Sequence, residues 1–197
     1  MSNTEHPERK QVISELEGKI RMMEGELKGY EEKKADLRKD KNRVIEYYNI
    51  VRDLYEKVLA VCKQGESNWE WYLSLDDKSI DSLRLSKEDS DAVNRDIKDK
   101  LDLSHYFERY HHSLDRTKEQ LGTARASEGN LHQYHLKCVD KSFRESQEAL
   151  ARYLRKVNEG TNSLEQRSRM LDHPIAAYKI KIAQDEITRK ALETHEE

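Results

Sequence analysis

From Ile13 to Cys62 apolar residues recur in alternating steps of three and four without a slip: Ile13, Leu16, Ile20, Met23, Leu27, Tyr30, Lys34, Leu37, Lys41, Val44, Tyr48, Val51, Tyr55, Val58 and Cys62. Only Lys34 and Lys41 interrupt the series. This is the seam of an amphipathic helix that needs partner helices along its length. At 1.5 Å per residue it predicts a rod of about 75–85 Å. The helix is expected over about residues 7–63. Pro7 suits its first turn, Asn3 or Thr4 its cap, Glu5 and Glu8 the positive end of its dipole, and Gly65 its C-terminal stop. Gly18, Gly25 and Gly29 weaken the first half, by about 1 kcal/mol each. From Val44 onward Ile45, Tyr47, Ile50, Leu54, Leu59 and Val61 widen the stripe, and a wide stripe serves more than one neighbour. The first half thus reads as a two-stranded seam and the second as part of a bundle.

The periodicity stops across a connection, residues 64–85, where two short helical turns fit at 68–73 and 77–83. Ser86 with Asp89 is a capping box opening a second helix over about 86–126. It carries Val93, Ile97, Leu101, Tyr106, Phe107, Tyr110, Leu114, Thr117 and Leu121. Gly122 and Ser127-Glu128-Gly129-Asn130 signal a turn. A third helix over about 130–171 places Leu136, Phe143, Leu150, Val157, Leu164 and Leu171 one heptad apart, with a kink allowed at 158–162. Asp172-His173-Pro174 ends it. A last helix over about 174–194 carries Ile175, Tyr178, Ile182 and Ile187, and Glu196 and Glu197 fray its tail. Strand alternation with turn dipeptides is missing throughout.

The expected fold is therefore all-α: an elongated antiparallel helical bundle, three long helices plus a shorter C-terminal one, with coiled-coil character, forming a single domain over 1–197. Helices two and three match as a hairpin of about 60 Å. The last helix is expected to return beside the Val44–Cys62 region. The hairpin packed back along the first helix covers about Met23 to Cys62 and leaves the N-terminal part of that helix uncovered; an uncovered apolar seam predicts self-association as a twofold homodimer, assigned to Ile13, Leu16, Ile20, Met23, Leu27, Tyr30 and Leu37.

Composition supports long solvated helices. The 197 residues include two prolines and seven glycines, and 38% are charged. The mean hydropathy of -1.06 is low enough for disorder, but the sustained heptads argue for folded helix. With 36 basic and 39 acidic side chains well mixed, no electrostatic footprint for nucleic acid or anionic lipid emerges. The basic run Lys33, Lys34, Arg38, Lys39, Lys41, Arg43 is interleaved with Glu31, Glu32, Asp36 and Asp40, which reads as a salt-bridged face. A membrane or nucleic-acid surface on that face of the first helix is the alternative reading. The N-terminal residues lack an apolar signal core and no run reaches membrane-spanning length, so a cytoplasmic protein is expected. Cys62 and Cys138 lie within helical patterns and read as small buried hydrophobes.

Sequence spacing offers three candidate chemistries. Asp102/His105 and Glu108/His111 have the acid-x-x-histidine spacing used in di-iron bundles. Eight histidines and 39 acids give such pairs by chance, and matching units on other helices are missing. His132, His135 and Cys138 are three apart, but across a hairpin His135 falls opposite about Gln120 and Cys138 opposite about Thr117, so no four-ligand cage forms. Neither a phosphate loop nor a strand to carry one occurs. The expectation is a protein without catalytic residues, cofactor, metal or small-molecule substrate. The remaining candidate is Trp69, Trp71, Tyr72 and Leu73, which place both tryptophans of the chain in one interhelix connection. Such residues dominate interface hot spots; alternatively they cap the bundle end. Trp69-Glu70-Trp71 resembles the Trp-x-Gly turn of type VII secreted helical proteins only in its first residue, because Trp71 stands where that turn has glycine. A coiled-coil scaffold or adaptor that binds a protein partner through this connection is the functional expectation.

Overall fold

The computed structural model describes residues 5–96 and 104–194, and every regular element among them is helical. In chain order these are α1 (Glu5–Ser67), a 3₁₀ helix (Trp69–Ser74), α2 (Asp77–Asp81), α3 (Lys87–Asp96), α4 (Ser104–Arg125), α5 (Gly129–Met170) and α6 (Asp172–Thr194). The chain is an all-α bundle, as its periodicity predicts. No helix among the described residues is long and apolar enough to cross a membrane. Asn3, Thr4, Ile97, Leu101, Asp102, Glu196 and Glu197, and the side chains of Glu5, Asp89 and Val93, lie outside what the structure describes. The chain forms two compact units, one from residues 1–39 and 164–197 and the other from residues 40–163.

The second unit holds the wide stripe. Val44, Tyr47, Val51, Leu54, Val58 and Cys62 of α1 are buried, together with Phe107, Tyr110, Leu114 and Leu121 of α4 and Leu136, Val139, Phe143, Leu150, Tyr153 and Val157 of α5. The heptad series on α5 is buried throughout from Leu136 to Leu164, and the helix runs uninterrupted through 158–162. Small polar residues on the facing sides of α4 and α5 are buried without loss of hydrogen bonding, because the Thr117 hydroxyl donates to the Ser113 carbonyl (2.9 Å) and that of Ser146 to Ser142 (3.0 Å). The turn between α4 and α5 closes at Gly129, whose φ of 56° is the left-handed region that glycine enters without steric cost.

Two expectations about the helices are corrected. Gly65 does not stop the first helix; α1 continues past it to Ser67, and Gly65 is buried inside it. Nor is the first half of the α1 seam bare. In the first unit α6 lies along it. Arg9 donates to the Leu192 carbonyl, Arg189 pairs with Glu17 (3.6 Å), Lys19 with Asp185 (2.7 Å), Lys179 with Glu31 (2.8 Å) and Lys34 with Asp172. The Tyr178 hydroxyl donates to Glu26, and its ring lies 5.8 Å from that of Tyr30. Partner numbers fall along α6 as they rise along α1, so the two helices run in opposite directions. Ile20, Met23 and Leu37 are buried, and Ile13, Leu16, Leu27 and Tyr30 half-buried. The physical reason is at 171–174. Only Leu171 separates α5 from α6, and Pro174 sits in the first turn of α6, where a missing N–H costs nothing. The motif starts a helix without reversing the chain. The seam from Arg9 to Lys34 therefore has α6 of its own chain along it, so it is not the uncovered seam on which the expected pairing with a second copy rests.

Candidate partner-binding site

The connection after α1 is built by local capping. Asn68 caps the 3₁₀ helix, its side-chain oxygen accepting from the Glu70 N–H (3.1 Å). Asp76 caps α2, accepting from the N–H (2.8 Å) and hydroxyl (2.6 Å) of Ser79, and these bonds hold its carboxyl below the usual range. The two short helical turns predicted at 68–73 and 77–83 are thus present. Ile80 of α2 is buried, as are Leu83 and Leu85 beyond it; the Tyr110 hydroxyl donates to the Leu83 carbonyl, and His111 Nε2 accepts from the Leu85 N–H (3.1 Å).

Tyr72 fixes the connection to the bundle. Its ring is fully buried and stacks on Phe143 at 5.3 Å. Its hydroxyl donates to Asp140 Oδ1 (2.7 Å), whose other oxygen accepts from Arg144 Nε (2.9 Å). Burial first, and the adjacent Asp140 carboxylate second, push the Tyr72 phenol far above its ordinary range, so it stays a donor. The ring lies against Gly65, where a Cβ would fall 1.9 Å from Tyr72 Cζ. Beneath it Cys62 is buried, and desolvation pushes its thiol up to about 11, so it is an unreactive packing residue.

Trp69, Trp71 and Leu73 flank this anchor and remain half-exposed. Tyr72 caps the bundle end, and its three neighbours are less deeply buried, with the Trp71 ring edge-on to that of Tyr72 at 5.9 Å. Three further clamps hold them. Arg125 donates to the carbonyls of Leu75 and Leu73. Gln133 donates to Glu70 Oε1 (2.7 Å). His132 donates from Nδ1 to the Ala124 carbonyl (2.7 Å) and faces Glu70 with Nε2 at 3.1 and 3.2 Å. The first two turns of α5, which carry His132 and Gln133, also expose Leu131 and Tyr134.

The His132 clamp is sensitive to pH. The Ala124 carbonyl and then Glu70 raise its pKa above 6.5. With Nδ1–H committed to Ala124, loss of the second proton turns Nε2 into a lone pair facing a carboxylate. A folded pKa above the unfolded one means that the clamp is complete below about pH 6.5 and is lost as pH rises through the higher folded value. Because Trp69 and Trp71 are the chain's only tryptophans, their emission is expected to shift red over that interval, and His132→Ala to remove the step. A pH-independent emission from 5.5 to 9 in the wild type (about one unit below the reference value to well above it) would refute this.

Among the described residues the other sequence candidates do not converge. His135 Nδ1 meets Gln120 Oε1 at 2.9 Å, as the hairpin register predicts, while His132 is held by Ala124 and Glu70. His111 accepts a backbone N–H, and burial first and Arg84 second lower its pKa. Among the described residues no group of three or more histidine, cysteine or acidic side chains is placed to hold a metal ion. On α1, Arg43 pairs with Asp40 (3.0 Å) and Lys28 with Glu32 (3.8 Å). The signal that sequence reading missed is Gly65, seven residues before an aromatic residue in the following connection. No protein-family model matches the chain, and neither a curated protein nor a solved structure similar to it was found.

Proposed function

We propose that this chain is a non-enzymatic helical-bundle scaffold or adaptor of the cytoplasm, and that it captures a protein partner through Trp69, Trp71 and Leu73. The observation that carries the reading is the division of labour in the connection. One aromatic residue, Tyr72, is fully buried and doubly fixed, and its neighbours are held half-exposed on that frame. Large amphipathic side chains with little conformational freedom left to lose make efficient contact anchors. Their mechanism is geometric: the bundle fixes where the anchors stand, and the partner supplies the pocket.

The test is affinity capture with the full chain, followed by titration of the retained protein. Trp69→Ala combined with Trp71→Ala is expected to weaken that binding by about 30-fold or more. Helicity should be unchanged and the melting temperature within about 4 °C of wild type. A large fall in melting temperature in the double variant would make the tryptophans structural caps instead.

A further inference from the structure

α6 carries two stripes on opposite sides. Ile175, Tyr178, Ile182, Asp185, Arg189 and Leu192 face α1 and are half-buried. At 100° per residue, Ala176, Ile180, Ala183, Ile187 and Ala191 form the other stripe, and all five are exposed, Ile180 by 59% and Ile187 by 68%. Isoleucine is not favoured at a solvent-facing helix position: its branched Cβ loses rotamer freedom against the preceding turn, and alanine, lysine or glutamate are better helix formers there. No residue of α6 is fully buried by its own chain.

We infer that this outward stripe is a self-association surface, occupied by α6 of a second copy of the chain in an antiparallel twofold pair. Two features select that occupant. The stripe reads alike in both directions about a point between Ala183 and Gln184. Reversed against itself, it sets Ile180 opposite Ile187 of the second copy and Ala176 opposite Ala191, with small Ala183 near the axis, so each contact is made twice, as an isologous interface requires. The charges agree with this register. Lys179 and Glu186 lie on one flank of the stripe, a heptad apart like the two isoleucines. A twofold axis keeps that flank facing its copy, so Lys179 comes beside Glu186 of the second copy, and the reverse. Lys179 already reaches Glu31 at 2.8 Å, but that pair is exposed on both sides and competes weakly. Helices of this length, about 35 Å, bury an area near the low end for specific interfaces, about 1,200 Å². The association is accordingly a reversible one in the micromolar range. It is independent of the partner proposed for the tryptophan connection.

Sedimentation equilibrium of the full chain from about 1 μM to 1 mM tests it. The wild type is expected to dimerise reversibly in that range, and Ile180→Lys with Ile187→Lys to remain monomeric with unchanged helicity, both positions being exposed. Lys179→Glu and Glu186→Lys should each raise the dissociation constant about threefold or more, and the combined swap should restore it to within about twofold, because opposite charges face again. A wild type that stays monomeric to 1 mM, a dimer indifferent to the isoleucine pair, or a combined swap that fails to restore association would each overturn the inference.

Discussion

Gly65→Ala is expected to destabilise the protein by about 2–4 kcal/mol and to lower its melting temperature by about 5–12 °C. The sign opposes helix propensity, which favours alanine inside a helix by about 1 kcal/mol. The added Cβ would lie 1.9 Å from Tyr72 Cζ and 2.2 Å from its hydroxyl oxygen, so the ring has to leave its place. Leaving costs the stack on Phe143 and the bond to Asp140, and it strands a carboxylate oxygen that accepted that bond. Both tryptophans ride on the same segment, so the emission should change along with stability. Tyr72→Leu removes the ring tip that clashes. In that background Gly65→Ala is expected to be neutral or slightly stabilising, a coupling that a double-mutant cycle measures. Additive effects of the two substitutions would show that the ring and the glycine do not depend on each other.

Replacing Ile20 and Met23 together by lysine should have an effect as large, confined to one part of the chain. Both side chains are buried in the α1 seam of the first unit, and each contributes about 1.5–3 kcal/mol by burial. Two ammonium groups in their place add a desolvation cost. A unit built from so little chain cannot absorb that loss. Hydrogen exchange read by mass spectrometry is expected to show α6 and residues 5–39 exchanging as unprotected chain. Amides around Leu114, Phe143 and Leu150 should keep their protection. Unchanged protection of α6 in the variant would mean that the seam residues are not what holds it.

Much of this fold is legible in sequence because period-3.6 burial is a local pattern. The α5 series from Leu136 to Leu164 and the widening of the α1 stripe at Val44 both follow directly from spacing, and the second falls near the division of the chain at residue 40. The position of α6 is not legible in the same way. Asp172-His173-Pro174 announces that a helix begins, and says nothing of the direction it takes. The α6 seam is also disguised, because Asp185 and Arg189 occupy core-facing positions. Their meaning appears only when they are matched with Lys19 and Glu17 on a distant helix. At the candidate site, composition singles out Trp69, Trp71, Tyr72 and Leu73 as a group. Separating the anchor from its half-exposed neighbours requires Gly65 and Asp140, residues on two other helices that no local rule connects to Tyr72.

The pairing of α1 with α6 joins residues 183 apart at Arg9 and Leu192 and 138 apart at Lys34 and Asp172. A ribosome adding about 5–20 residues per second needs of the order of ten to thirty seconds to make the second strand of that seam after the first has emerged. The hairpin of α4 and α5 closes over far shorter distances and has no such delay. Throughout synthesis, then, Ile20, Met23 and Leu37 wait in the open on a nascent chain. The glutamates and lysines interleaved among them, several of which later pair with α6, put charge beside that waiting stripe, and flanking charge of this kind opposes association between exposed apolar segments.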